Sequence, residues 1–161
     1  MTPGRASRGR TSAGVLLFRR GGDGLEVLLV HPGGPFWAKR DAGAWSIPKG
    51  EVSDGEDPRA AAWREFAEEL GTPAPDGDAL ELGEVRQKAG KTVLAWGVEG
   101  DLDPAAIVSN TFAMEWPPRS GRSQEFPEVD RAGWFGLGEA RERINPAQAA
   151  LLGRLSEALG A

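Results

Sequence analysis

The sequence predicts an α/β/α sandwich around a mixed β-sheet. Three features carry that expectation: two pairs of short apolar runs joined by glycine-containing turns, one helix with well-marked ends, and an amphipathic run at the C-terminus. Hairpins and helices that each bury one face are satisfied together by a layered architecture. At 161 residues the chain suits one domain. That domain is expected over 12–161, after a leader (1–11) whose Gly, Ser, Thr and Arg content predicts disorder.

Ala13 to Arg19 reads as a strand, because Val15, Leu16, Leu17 and Phe18 favour β structure. Gly21, Gly22, Asp23 and Gly24 supply a four-residue connection, and Leu25 to Val30 resumes as a second strand. A Gly/Pro-rich loop, 32–43, carries Phe36, Trp37, Lys39 and Arg40; Ala44 to Pro48 then reads as a short strand. Asp57–Pro58 marks a helix start, with Asp as N-cap and Pro in the first turn, and Gly71 with Pro73 ends it. Leu80 to Gln87 and Thr92 to Val98 form a second hairpin around Ala89–Gly90. Phe112 to Trp116 reads as a strand closed by Pro117–Pro118, Arg119 to Pro127 as a polar loop, and Ala132 to Leu137 as a further strand. Leu151, Leu152, Leu155 and Leu159 give Pro146 to Leu159 the spacing of an amphipathic helix.

Composition removes several chemistries. With no Cys there are no disulfides, thiolate nucleophiles or cysteine metal sites, and the single His31 cannot form a two-histidine centre. It ends a strand and reads as a structural histidine. What remains is carboxylate chemistry, which favours hard cations such as Mg²⁺, Mn²⁺ or Ca²⁺. The net charge of −5 argues against an extended nucleic-acid-binding surface. No apolar run reaches the ~20 residues that span a bilayer, and no signal-like stretch opens the chain, so a cytoplasmic location is expected. The sequence does not report an oligomeric state.

The central helix concentrates the remaining chemistry. At ~100° per residue, Glu65, Glu68 and Glu69 fall within about 100° of one another. Arg59, Ala62, Trp63, Phe66 and Leu70 lie opposite, and Ala61 is expected among the carboxylates. Like charges at this spacing weaken a helix; a divalent cation reverses that term. A solvated acidic face is the bland alternative for the triplet alone.

A longer pattern decides between them. From Gly50 the chain reads GEVSDGEDPRAAAWREFAEELGT: Gly50, five residues, Glu56, seven residues, Arg64–Glu65, Phe66, Ala67, Glu68–Glu69, Leu70 and Gly71. Seven specified identities at about 10% each would coincide in about one such chain in 10⁵. The segment resembles the Nudix box at every fixed position. Thr72, where the family usually has an aliphatic residue, is a departure in packing rather than chemistry. Ala13–Gly14–Val15, Trp45-Ser46-Ile47-Pro48-Lys49 and Trp134–Phe135 extend the resemblance over most of 12–138.

The resemblance implies a Nudix-type α/β/α sandwich and a pyrophosphohydrolase. It implies Glu65, Glu68, Glu69 and the Gly50 carbonyl as ligands of Mg²⁺, with Mn²⁺ as a substitute. Arg64 would orient the carboxylates through its fork of donors, and Glu56 would pair with Arg64. Lys49 is a candidate phosphate contact. Glu128, six residues before Trp134, is a candidate metal ligand or general base, with Glu125 as its rival. Phe36, Trp37 and Trp96 are candidates for base stacking, Trp37 foremost because its loop favours exposure. The expected partner is a small nucleotide: a nucleoside diphosphate linked to another moiety, leaning to a dinucleoside polyphosphate or a nucleoside triphosphate. A non-catalytic, nucleotide-binding Nudix regulator is the alternative, although such domains tend to lose the carboxylates kept here.

Overall fold

The computed structural model describes residues 10–22 and 24–160. The leader expected over 1–11 therefore falls largely outside the described residues, and Thr11 already begins a strand. In chain order the strands are β1 (Thr11–Gly21), β2 (Gly24–Pro32), β3 (Lys49–Glu51), β4 (Leu80–Arg86), β5 (Thr92–Glu99), β6 (Thr111–Glu115), β7 (Ser123–Pro127) and β8 (Val129–Gly136). The helices are α1 (Pro58–Leu70), α2 (Leu137–Arg143) and α3 (Ala149–Leu159).

The main sheet runs β4-β5-β1-β2-β8, with β3 joined to β1. It is mixed: β1 and β5 are parallel from Thr11–Thr92 to Phe18–Glu99, and the other pairs are antiparallel. Alternation along β1 explains the layers, since side chains of a strand covered on both faces point to two cores. Ala13, Val15 and Leu17 meet Ala61, Ala62, Phe66 and Leu70 of α1. Leu16 and Phe18 belong to the opposite core, with Ala140, Ile144, Leu151, Leu152 and Leu155 of the C-terminal region. The α/β/α sandwich read from the sequence is the observed architecture.

The ends of α1 follow the expected chemistry. The Asp57 carboxylate accepts from the Ala60 N–H at 3.0 Å, Pro58 occupies the first turn, and Gly71 stops the helix at φ 74°, its N–H bonded to the Ala67 carbonyl.

Several expectations need correction. The first hairpin is tighter than four residues, because pairing continues to Gly21–Gly24. Ala44–Pro48 makes only single bridges, Val30–Ser46 and Trp45–Ile144, and regular pairing starts at Lys49. Arg119–Pro127 is not all loop: β7 pairs with β6 in a separate two-stranded sheet, joined by Phe112 and Phe126 with ring centroids 6.0 Å apart. Both β7 faces are largely exposed, so its sequence shows no alternation to read. β8 starts at Val129 rather than Ala132, and α2 has no counterpart among the expected elements. Pro146–Gln148 forms a 3₁₀ turn ahead of α3. Ala61 lies wholly buried in the core rather than among the carboxylates.

Candidate active site

Arg64 is the hub of the acidic helix. Its Nε and Nη2 donate to the two oxygens of Glu56 at 2.8 and 3.0 Å, a bidentate pair. Nη1 donates to Glu65 at 2.9 Å and to both oxygens of Glu68 at 3.3 Å, while Nη2 also reaches the Glu51 carbonyl at 3.1 Å. One guanidinium therefore ties the loop after β3 to two of the three helical carboxylates. Held by Arg64 and by the Ser53 N–H, the Glu56 carboxyl drops to about 2. The pairing expected from the sequence is observed.

Gly50 leaves room for a carboxylate. A Cβ built there would overlap the carboxyl group of Glu65, so a side chain at this position would displace that carboxylate. Burial pushes the Glu65 carboxyl up, against the opposing pull of Arg64.

Glu69 turns the other way. One of its oxygens accepts from the Lys49 backbone N–H at 3.3 Å. Burial is the main cause that pushes its carboxyl up to about 8; the charges of Glu65 and Glu128 add to it and Lys49 opposes it. The Lys49 amine is lowered by burial above all; the charge of Lys91 adds to that lowering, and Glu69 opposes it. Lys91 is thus a cation near the site that the sequence reading did not place among the site residues; it stands immediately before β5, the strand parallel to β1.

A cleft of about 120 Å³ joins these groups, lined by Val30, Ile47 and Val129 and by Lys49, Glu69 and Glu128. Glu128 reaches it from a distant part of the sequence because its backbone is pinned twice. Its carbonyl accepts from Gly33 at 3.0 Å, and its N–H donates to the Asn110 carbonyl at 2.8 Å. Glu125, the rival candidate, lies in β7 opposite Ala113 and outside this cleft. Among the described residues, no three acidic or histidine side chains form a ready-made metal cage, consistent with Arg64 engaging Glu65 and Glu68 while Glu69 faces Lys49.

The aromatic candidates separate. Phe36 and Trp37 are exposed, at 64% and 39% of their surfaces, on the loop after β2. Phe36 meets Trp116 edge-on at 5.8 Å, and the Arg40 guanidinium lies over Trp37 at 5.5 Å. Trp96 instead lines a groove of about 260 Å³ beside Asp57 and Arg59, at the N-terminal end of α1. His31 is fully buried, as a structural histidine would be.

The NUDIX domain family model matches residues 8–155 of this chain. The chain belongs to the NUDIX family. The family resemblance read from the box is borne out over nearly the whole length. An RNA pyrophosphohydrolase of Rhodospirillum rubrum is 40% identical over 76 residues, covering 45% of this chain and 42% of that protein. An RNA pyrophosphohydrolase of Vibrio cholerae is 34% identical over 84 residues, covering 50% and 46%. The chain thus spans about half the length of the curated relatives it matches. Among solved structures, a Caenorhabditis elegans Ap4A hydrolase binary complex shares the fold with a TM-score of 0.64 and 24% identity, over 94% of this chain and 98% of that one. The NUDIX domain of Shewanella oneidensis NrtR, complexed with ADP ribose, gives a TM-score of 0.68 at 17% identity, over 99% and 94%. Among the described residues no helix is long and apolar enough to cross a membrane.

Proposed function

We propose that this NUDIX chain hydrolyses a phosphoanhydride bond in a substrate bearing a nucleoside 5′-polyphosphate, with Mg²⁺ held by Glu65, Glu68, Glu69 and the Gly50 carbonyl. The observation that carries the reading is the convergence of Glu69 and Glu128, from distant parts of the sequence, on one cleft beside Lys49. The donor set suits Mg²⁺: all its ligands are hard oxygens, and their mutual repulsion contributes to the raised Glu65 and Glu69 carboxyls. Bound there, Mg²⁺ supplies Lewis acidity towards the phosphoryl oxygens and favours ionisation of a water; Mn²⁺ would substitute.

The chain's own groups divide the remaining work. At about 120 Å³ the cleft is smaller than the roughly 300–1,000 Å³ of sites that enclose a small molecule. Its size suits phosphates and leaves the nucleoside outside, where Trp37, part-exposed with Arg40 against its ring, is the stacking candidate. Lys49 contributes a compact positive charge beside the phosphates. Glu128 makes no side-chain hydrogen bond or ion pair among the described residues, which leaves it able to take the proton of the attacking water. Arg64 and Glu56 fix the directions of Glu65 and Glu68.

Two probes differ in the group beyond the polyphosphate: Ap4A carries a second nucleoside, whereas a 5′-triphosphorylated RNA oligomer has none there. Nucleoside triphosphates complete the panel. Chromatographic separation of the nucleotide products formed with Mg²⁺ detects cleavage of Ap4A, and phosphate release with and without added inorganic pyrophosphatase reads the triphosphates. Turnover of at least one probe, lost in Glu69→Gln, is expected. Tight binding of the probes with no turnover would overturn the hydrolase reading in favour of a nucleotide-binding regulator.

A further inference from the structure

His31 is the chain's one histidine and lies outside the cleft, yet both its ring nitrogens are committed. Nε2–H donates to the Arg40 carbonyl at 2.6 Å, and Nδ1 pairs with Oδ1 of Asp130 at 2.8 Å. The ring plane is set by Trp45, which it meets edge-on with centroids 5.3 Å apart. An apolar side chain would fill the same space with neither bond, whereas a buried histidine needs both, because burying its two polar atoms costs unless they are satisfied.

One partner lies on the loop that connects Pro32 to Ser46, two residues lining the cleft, and the other follows Glu128 and Val129, which also line it. Arg40 closes a turn of the loop carrying Phe36 and Trp37: its N–H bonds to the Trp37 carbonyl at 2.9 Å, and its guanidinium covers the Trp37 ring. Asp130 stands two residues after Glu128. It is also the extra residue of a β-bulge, since His31 pairs with Arg131 and Pro32 with Val129. In regular pairing Asp130 would face away from His31; the bulge brings it to the ring, as bulges beside active sites commonly re-aim a side chain. The Gly33–Glu128 backbone bond joins the same two segments.

We infer that His31 is a positioning residue for the hydrolysis proposed for this cleft, fixing the aromatic loop and the Glu128 segment relative to each other through its two nitrogens. The inference rests on that functional reading for its kinetic consequence but not for its structural one. The loop governs how the nucleoside is met; Glu128 governs the chemical step. The two bonds of His31 therefore act on different kinetic parameters.

Amide substitutions separate the bonds. His31→Gln places an N–H near the former Nε2 and retains donation to Arg40. His31→Asn places one near Nδ1 and retains Asp130. Asp130→Ala, at a partly exposed position, removes the carboxylate arm without disturbing the core. Hydrogen exchange on the full chain without substrate should show His31→Gln and Asp130→Ala losing about tenfold protection at Gly33, Glu128 and Val129, with Arg40 and Ala44 retained. His31→Asn should show the reverse. On Ap4A or triphosphorylated RNA, whichever the wild type hydrolyses, His31→Gln and Asp130→Ala should lower kcat about tenfold with KM nearly unchanged. His31→Asn should raise KM about tenfold with kcat nearly unchanged. Parallel loss of both parameters in step with melting temperature, or wild-type exchange throughout, would overturn the inference. If the wild type hydrolyses neither probe, the functional reading fails, and the exchange pattern alone still decides whether His31 couples the two segments.

Discussion

The carboxylates of this site differ from one another because their surroundings differ. Glu56 sits in the fork of Arg64 and is held near 2, whereas Glu69 is buried beside like charges and is pushed up to about 8. Opposite pH dependences result. Glu56 has a folded value below its unfolded one, so its contribution to stability is present above about 4.5 and is lost as pH falls towards 2. An acid melt of Arg64→Lys, which cannot form the bidentate pair, should lose much of that slope. For Glu69 the folded state binds its proton more tightly than the unfolded chain does. The cation-free protein should therefore lose stability as pH rises from about 4.5 to about 8. Glu69→Gln should remove that loss, melting above the wild type at pH 8 to 9 in chelator and close to it at pH 5, while abolishing hydrolysis. A lower melting temperature for Glu69→Gln at pH 9 would show that the Glu69 carboxylate is not a stored electrostatic cost.

At the scale of the element, α1 serves two purposes with its two sides. Phe66, Ala62, Ala61 and Leu70 anchor it on the sheet, so the carboxylates ride on a rigid rod rather than a loop. Its ends should be measurable in denaturant. Asp57→Ala should cost about 1 kcal/mol through loss of the cap to Ala60. Gly71→Ala should cost more, because it forces a side chain into φ 74° and brings its Cβ to 2.6 Å from the Val108 carbonyl oxygen. The Val108 and Asn110 N–H groups donate to the Leu70 and Glu68 carbonyls, so the damage at Gly71 would spread to the segment that pins Glu128. The ends of this helix were legible because capping is local chemistry. Strand β7 was not, since Ser-Gln-Glu-Phe-Pro buries neither face fully and takes its order from cross-strand pairing with β6. Helix α2 was equally hidden in a short, mostly polar segment.

For the molecule as a whole, the sheet brings remote segments to one edge of α1. The box residues were readable because their spacing repeats the geometry of a single loop and helix, and Arg64, Glu56, Gly50 and Glu65 meet as that spacing implies. Long-range partners were not readable. Nothing local to Ser46 announces that Gln148 donates to its Oγ at 3.0 Å, or that the same buried amide accepts from Ile47 and holds the segment leading to Lys49. Glu128 was recognisable only as one of two loop acids, and the fold, by pinning it to Gly33 and Asn110, brings it and not Glu125 to the cleft. Trp37 lies outside the cleft, so Trp37→Ala should raise KM several-fold for a nucleoside-bearing substrate and leave kcat little changed.

The most direct test of the metal-assisted reading is the initial rate of product formation from the best probe, followed by chromatography, as Mg²⁺ is titrated from zero in chelator-treated protein. A rate that is absent without cation, saturates with it, and reaches a plateau at least about 100-fold lower in Glu69→Gln is the expected result. A rate that persists in excess chelator, or that Glu69→Gln leaves intact, would contradict the assignment of this helix to a cation-dependent active site.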